Sequence, residues 1–259
     1  TIDLFSDVDI VIHLANIAND PAVELNPILS WEVNVLASQR IANFAKKSGV
    51  KTLIFASSGS VYGLSELEKV TEDAELIPIS EYNKTKMIAE RVFLSYQDCM
   101  NIYCIRPATV CGVSPRMRLD VSVNILTYSA LKNNVIKVFG GKQVRPNIHI
   151  DDICEVYQFF IDNDHIRSGC YNAGFENISI LDIAKTVKKK LPNAKIVIEE
   201  SNDPRSYRQC SDLLLSMGFK PKKNVEKAIE EIIDNYYLKN LNDNDSAYTV
   251  KTLKTLNII

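Results

Sequence analysis

The run KTLIFASSGSVYG, residues 51 to 63, decides the fold in its first eight positions. KTLIFASS is continuously apolar from Leu53 to Ala56 and ends in small hydroxyl residues. That is the pattern of a strand buried on both faces of a parallel sheet. Upstream, Ile28, Trp31, Val35, Leu36, Ile41, Ala42 and Ala45 recur at helical spacing between Pro27 and Ser48. They predict one helix, stopped by Gly49 as a C-terminal cap. Before it, VDIVIHL at 8 to 14 predicts another buried strand. Downstream, YNKTKMIAERVFLSYQ from Tyr82 predicts a long helix, and NIYCIRPATV at 101 to 110 a third strand. Strands alternating with helices of this length require right-handed parallel crossovers, hence an α/β sheet. Such sheets bind ligands at the carboxyl ends of their strands, where Ala15, Ser57, Ser58 and Thr109 fall.

Beyond residue 112 the pattern loosens. A helix is expected from 119 to 133, a strand at VIKVFGG, then a loop carrying Arg145 and His149 and a helix N-capped by Asp151. CYNAG reads as a strand, SILDIAKTVKKKL as a helix with Ser179 as its N-cap, KIVIEE as a strand, and 225 to 238 as amphipathic. The tail after Asn240 is polar and poorly patterned. The chain therefore divides into residues 1 to 112 and a mixed part, 113 to 259, interleaved with the sheet.

With 259 residues, 46% hydrophobic and 24% charged, the chain can bury a real core, which excludes disorder and collagen. Thirty Lys and Arg against 32 Asp and Glu leave a formal charge of -2 and no basic stripe, so nucleic acid is not an expected partner. No run of about 18 apolar residues suggests a membrane span, and no secretory signal opens the chain. A cytoplasmic protein is expected. The six cysteines form no CxxC pair and lie near no His cluster, so they read as separate thiols with no metal.

Tyr82 and Lys86 stand four apart on a helix and project from one face, so phenol and ammonium can share a site. A cation beside a Tyr favours its ionised form, which would bring the pair nearer neutrality as proton acceptor and donor. Tyr and Lys at this spacing often occur by chance. The pair gains meaning from Ser58, 24 residues upstream at a strand end.

The strand-end serine followed by VYG, then YNKTK, then RPATVCG, together resembles the extended short-chain dehydrogenase/reductase family, in its NAD-dependent epimerase/dehydratase branch. VIHLAN at 11 to 16, EVNVLAS around Asn34 and RPNIHIDD at 145 to 152 continue the resemblance. It implies a doubly wound Rossmann domain, here only its C-terminal part, with a smaller C-terminal substrate domain. It also implies a catalytic role for Tyr82 as acid/base on a sugar hydroxyl, for Lys86 on the nicotinamide ribose, and for Ser58 on the sugar oxygen. Leu14, Ala15, Asn16, Ser57 and Pro107 would line the nicotinamide side together with Tyr82 and Lys86. Thr109, Asn124, Arg145 and Arg205 would contact a nucleotide-diphosphate sugar, the two guanidiniums suiting its phosphates. Asn34, His13 and His149 read as structural, and Asp151 and Asp152 as helix-end residues rather than metal ligands. NAD is the expected cofactor, with NADP equally compatible, and a homodimer packed through the helices at 28 to 48 and 82 to 98 is implied.

No GxxGxxG occurs among the 9 glycines. The strand at 8 to 14 matches the fourth of the family's sheet, so about 60 residues, three strands and two helices, would precede Thr1. A chain cut short is the preferred reading over one that lost its cofactor half, because a stripped sheet exposes a long apolar edge. Gly59 and Ser60 occupy the places where the family's 4,6-dehydratases carry an Asp-Glu pair, which disfavours dehydration. Cys111 replaces the usual Tyr, and SPRMRLD at 114 to 120 marks a distinct sugar pocket. The resemblance thus implies an epimerase acting at sugar C4 through a keto intermediate, of the UDP-glucose 4-epimerase type. The alternatives are an NADPH-dependent keto-sugar reductase and a non-catalytic relative serving as a binding subunit.

Overall fold

The computed structural model describes residues 2 to 201 and 206 to 257. Arg205 lies outside the described residues. The first strand, β1 (Ile10–His13), is followed by α1 (Asp20–Leu25) and α2 (Pro27–Trp31). A π-helical turn, Glu32–Leu36, runs on into α3 (Ala37–Lys47). Then come β2 (Thr52–Ala56), a short 3-10 turn at Gly59–Tyr62, α4 (Glu81–Leu94), β3 (Asn101–Pro107) and β4 (Thr109–Cys111). The single helix expected from Pro27 is therefore continuous but carries one π turn.

The second part holds α5 (Ser122–Asn133), β5 (Val135–Phe139), β6 (Val144–His149), α6 (Ile150–Asp162), β7 (Gly169–Ala173), β8 (Glu176–Ser179) and α7 (Ile180–Lys190). It continues with β9 (Lys195–Glu199), α8 (Asp212–Ser216), α9 (Val225–Tyr237) and α10 (Thr249–Thr255). The main sheet has the order β1-β2-β3-β7, all parallel, with Phe55 opposite Cys104 and Cys104 opposite Cys170. A three-stranded sheet, β4-β6-β8, and a pair, β5-β9, complete the strands.

The apolar runs are continuous because both sheet faces are covered. Leu53, Phe55, Ile102 and Cys104 point toward Ala42, Ala45, Ala89 and Phe93 of α3 and α4. Ile54, Tyr103 and Ile105 point the other way, onto Ile153, Val156 and Phe160 of α6. A separate apolar core joins α5, α7 and α9 over β5 through Ile136, Val187, Ile183 and Ile229.

Three local readings are corrected. Val144–His149 is a strand, not a loop: Pro146 lacks a donor and argues against a central strand, but it stands opposite Asn177 of the antiparallel β8 alone, the ladder to β4 beginning only at Asn147. The cap of α6 is His149, whose Nδ1 accepts from the Asp151 N–H at 3.1 Å, while the Asp152 carboxylate accepts the backbone N–H groups of Lys222 and Lys223. The tail forms α10, whose β-branched sequence is a poor helix former. Tertiary bonds fix it, from Thr249 N–H to Asp120 (2.9 Å) and from Leu119 N–H to the Ala247 carbonyl (2.8 Å).

Candidate active site

A cavity of about 1330 Å³ opens at the carboxyl ends of β1, β2 and β3, between the main sheet and the second part. Leu14, Ser57, Ser58, Tyr82, Pro107, Thr109, Asn124 and Arg145 line it, so most of the expected residues converge. Lys86 lies just behind this surface, while Ala15 is exposed and Asn16 half-buried in the loop after β1.

Each group is held by an identifiable element. Ser58 caps the 3-10 turn that follows β2: its Oγ accepts from Ser60 N–H at 3.2 Å and lies 2.7 Å from Ser60 Oγ. Ser80 caps α4 by accepting from Asn83 N–H at 3.2 Å, and so sets Tyr82 in the first helical turn. Asn34, inside the π turn, accepts from Ile17 N–H at 2.8 Å and donates to the Ile17 carbonyl at 3.0 Å and to Thr85 Oγ1 at 3.1 Å. One side chain thereby ties the loop after β1 to the helix of Tyr82 and Lys86.

The electrostatics differ from expectation. Burial pushes the Tyr82 phenol up to about 12, with the facing Ser58 and the charge of Arg118 acting against it. The expected lowering by Lys86 is absent because that ammonium turns away, donating to the Ala56 carbonyl at 2.6 Å, and sits 5.9 Å from the Tyr82 ring centre. Lys86 is itself driven down to about 7 by burial, opposed by the charge of Glu90. The Phe55 ring, 4.8 Å from its nitrogen, gives partial compensation.

Asn124 lines the cavity, but its amide is engaged at both ends, accepting from Gly112 N–H (3.0 Å) and donating to the Arg118 carbonyl (2.9 Å). It shapes the loop at 112 to 118. Arg116, Arg118 and Lys251 also reach the cavity, and no sequence argument singled them out individually. The two arginines could have been flagged from the SPRMRLD stretch, whereas Lys251 arrives only through the docking of α10. Arg118 donates through Nε to Asp120 at 2.7 Å. Cys111 is buried, and burial pushes its thiol up to about 12, so it is inert packing beside the pocket. His13, stacked on Phe55 and edge-on to Phe93, is held neutral by burial, its pKa lowered to about 4. No group of three His, Cys, Asp or Glu among the described residues could hold a metal ion, and no helix there is long and apolar enough to cross a membrane.

The family model for the NAD dependent epimerase/dehydratase family matches residues 1–174. The Bacillus subtilis protein named "Uncharacterized UDP-glucose epimerase YtcB" is 29% identical over 190 residues, 71% of this chain and 59% of its own length. The Arabidopsis thaliana "UDP-glucuronic acid decarboxylase 1" is 25% identical over 253 residues, 92% of this chain and 57% of its own. The chain thus spans less than two thirds of either curated relative. Among solved structures, the Bacillus cereus UDP-glucuronic acid 4-epimerase in complex with UDP-glucuronic acid and NAD superposes with a TM-score of 0.79 at 25% identity, covering 93% of this chain and 78% of that one.

Proposed function

The chain belongs to the NAD-dependent epimerase/dehydratase family, and from that premise we propose that it epimerises a UDP-sugar at C4 through a 4-keto intermediate, using NAD. The observation that carries this reading is the convergence of Ser58, Tyr82 and, behind them, Lys86 on a cavity of about 1330 Å³. Gly59 and Ser60 stand beside Ser58, so the site offers no carboxylate pair there for eliminating water.

The residues present fit the nicotinamide half of NAD. Leu14 and Pro107 supply apolar walls, Lys86 a buried ammonium, and the Asn16 amide has both polar atoms buried with no protein partner, which a polar ligand would complete. The 259 residues contain no glycine-rich loop for the pyrophosphate, so the fit covers that half alone. NAD, when bound, supplies the acceptor that takes hydride from C4 and gives it back. Within the chain, Tyr82 accepts the C4 hydroxyl proton as the carbonyl forms and returns it when hydride arrives on the other face. Ser58 donates to the carbonyl oxygen, and Arg118 stabilises the phenolate that Tyr82 must visit. Arg145, and by resemblance Arg205, would hold the diphosphate. Leu25, Ile28 and Leu36 are exposed along α1 to α3, an apolar face suited to the homodimer that the family resemblance implies.

Incubation with NAD and UDP-glucose or UDP-glucuronic acid, followed by proton NMR, tests the reaction. The C4 epimer is expected; a pentose product with carbon dioxide would replace the reading with decarboxylation. Tyr82→Phe should lower turnover by about 10²-fold or more with sugar binding retained. Activity within about tenfold of wild type, roughly 1.4 kcal/mol in barrier, would remove Tyr82 from the role.

A further inference from the structure

Behind the reacting end of the cavity lies a group of side chains that the proposed cycle leaves unused. Glu90 sits one turn beyond Lys86 on α4 and is 1% exposed. Its Oε1 accepts from Ser57 Oγ at 2.5 Å and from Arg106 Nε at 2.9 Å, and its Oε2 accepts from Arg106 Nη2 at 2.8 Å. Arg106 Nη1 donates to the Tyr62 hydroxyl (2.7 Å) and to the Glu72 carbonyl (3.2 Å). Tyr62 in turn donates to Asn172 Oδ1 at 2.7 Å. One carboxylate therefore joins the end of β2, the helix of Tyr82 and Lys86, the strand leading to Pro107 and the turn capped by Ser58.

Charge buried this deeply is costly to desolvate, and an apolar pair of equal volume stabilises a fold as well or better. Net stability is therefore a weak reason for such a pair, and its bonds to groups at the site are the stronger one. We propose that Glu90 is a positioning residue for the reaction, its carboxylate fixing the Ser57 hydroxyl and lying one helical turn behind the Lys86 ammonium.

Lys86 needs such a charge. Burial drives its pKa down to about 7, and Glu90 is the charge opposing that loss. Among the described residues, Glu90 is the one charge that opposes the loss. His13 on β1 is neutral above about pH 4, Tyr82 on α4 is neutral below about 12, and Arg106 on β3 is a cation whose charge Glu90 already takes up. Without Glu90, Lys86 would lose its proton at lower pH, and the site would lose its buried ammonium.

The inference rests on the reading under Proposed function, and a titration separates the two. The side-chain resonance of Lys86 is followed against pH in the full chain with isotope-labelled lysine, assigned by its loss in Lys86→Arg. In Glu90→Gln the midpoint should fall by roughly one pH unit or more. In turnover assays the alkaline limb should move down by the same amount, in kcat rather than KM, and Glu90→Asp should restore part of it. Should Glu90→Gln fail to fold around an unpaired Arg106, the double variant Glu90→Gln/Arg106→Met removes both charges and should show a fall in the same direction, reduced by the loss of the Arg106 cation. An unchanged Lys86 midpoint in either folded variant overturns the proposal. A wild-type protein that converts no nucleotide sugar would overturn the proposed function instead, and the Lys86 titration would still decide what Glu90 does.

Discussion

Around Arg106 the interior holds two opposite charges, a phenol and two amides, whereas around Ile229 the interior between α5, α7 and α9 is built mostly of Ala, Ile and Val. The second region keeps its charges outside: Lys190 pairs with Glu226 at 2.8 Å and Glu230 at 2.7 Å across partly exposed side chains. An apolar core tolerates small changes of shape, because any side chain of similar volume fills it. A buried polar network does not, because every member left without its partner retains a desolvation cost. The protein uses the demanding kind of interior directly behind Ser57, Tyr82 and Lys86, where positions must be held closely, and the tolerant kind where only a wall is needed.

The comparison is sharpest at its most costly point. Arg106→Leu strands the Glu90 carboxylate and should destabilise the fold by about 3 to 5 kcal/mol in denaturant titration; a loss under about 1 kcal/mol would mean that water reaches the pair. Next comes His13, on the same side of the sheet as Lys86. Its folded pKa is lowered to about 4 from 6.5, so its stabilisation is fully present above pH 6.5 and is lost as pH falls toward 4, the unfolded chain taking the proton first. That loss is on the order of 3 kcal/mol, and His13→Gln should flatten this part of the stability profile; an equally steep profile in the variant would assign the slope elsewhere. The smallest effect belongs to the apolar region. Ile229→Val, removing one buried methylene, should cost about 0.5 to 1.5 kcal/mol and leave turnover unchanged. Altered turnover there would show that the two regions are coupled.

The same contrast explains what was readable in the sequence. The parallel sheet was legible because strands buried on both faces, such as Leu53 to Ala56 and Ile102 to Ile105, leave continuous apolar runs. The trio of Ser58, Tyr82 and Lys86 was legible because it falls at a strand end and on one helical face. The Glu90–Arg106 pair was not: the two residues lie 16 apart on different elements and meet only because a crossover brings α4 against β3. Lys251 was hidden for a similar reason, its helix being fixed by Asp120 rather than by its own propensity. The strand at β6 was masked by Pro146, whose missing donor matters only if a neighbour reaches for it.

The π turn at Glu32–Leu36 also has a meaning for how the chain tolerates editing. A π turn holds one residue more than the α-helical repeat, so the helix before it and the helix after it are out of phase by about 100°. Deleting one residue there would make a smoother rod from Pro27 to Lys47, with better internal hydrogen bonding. It would also rotate Asn34 away from Ile17 and Thr85, untying the loop after β1 from the helix of Tyr82. At this spot the length that suits the helix and the length that suits the site differ by a single residue, and the chain carries the second.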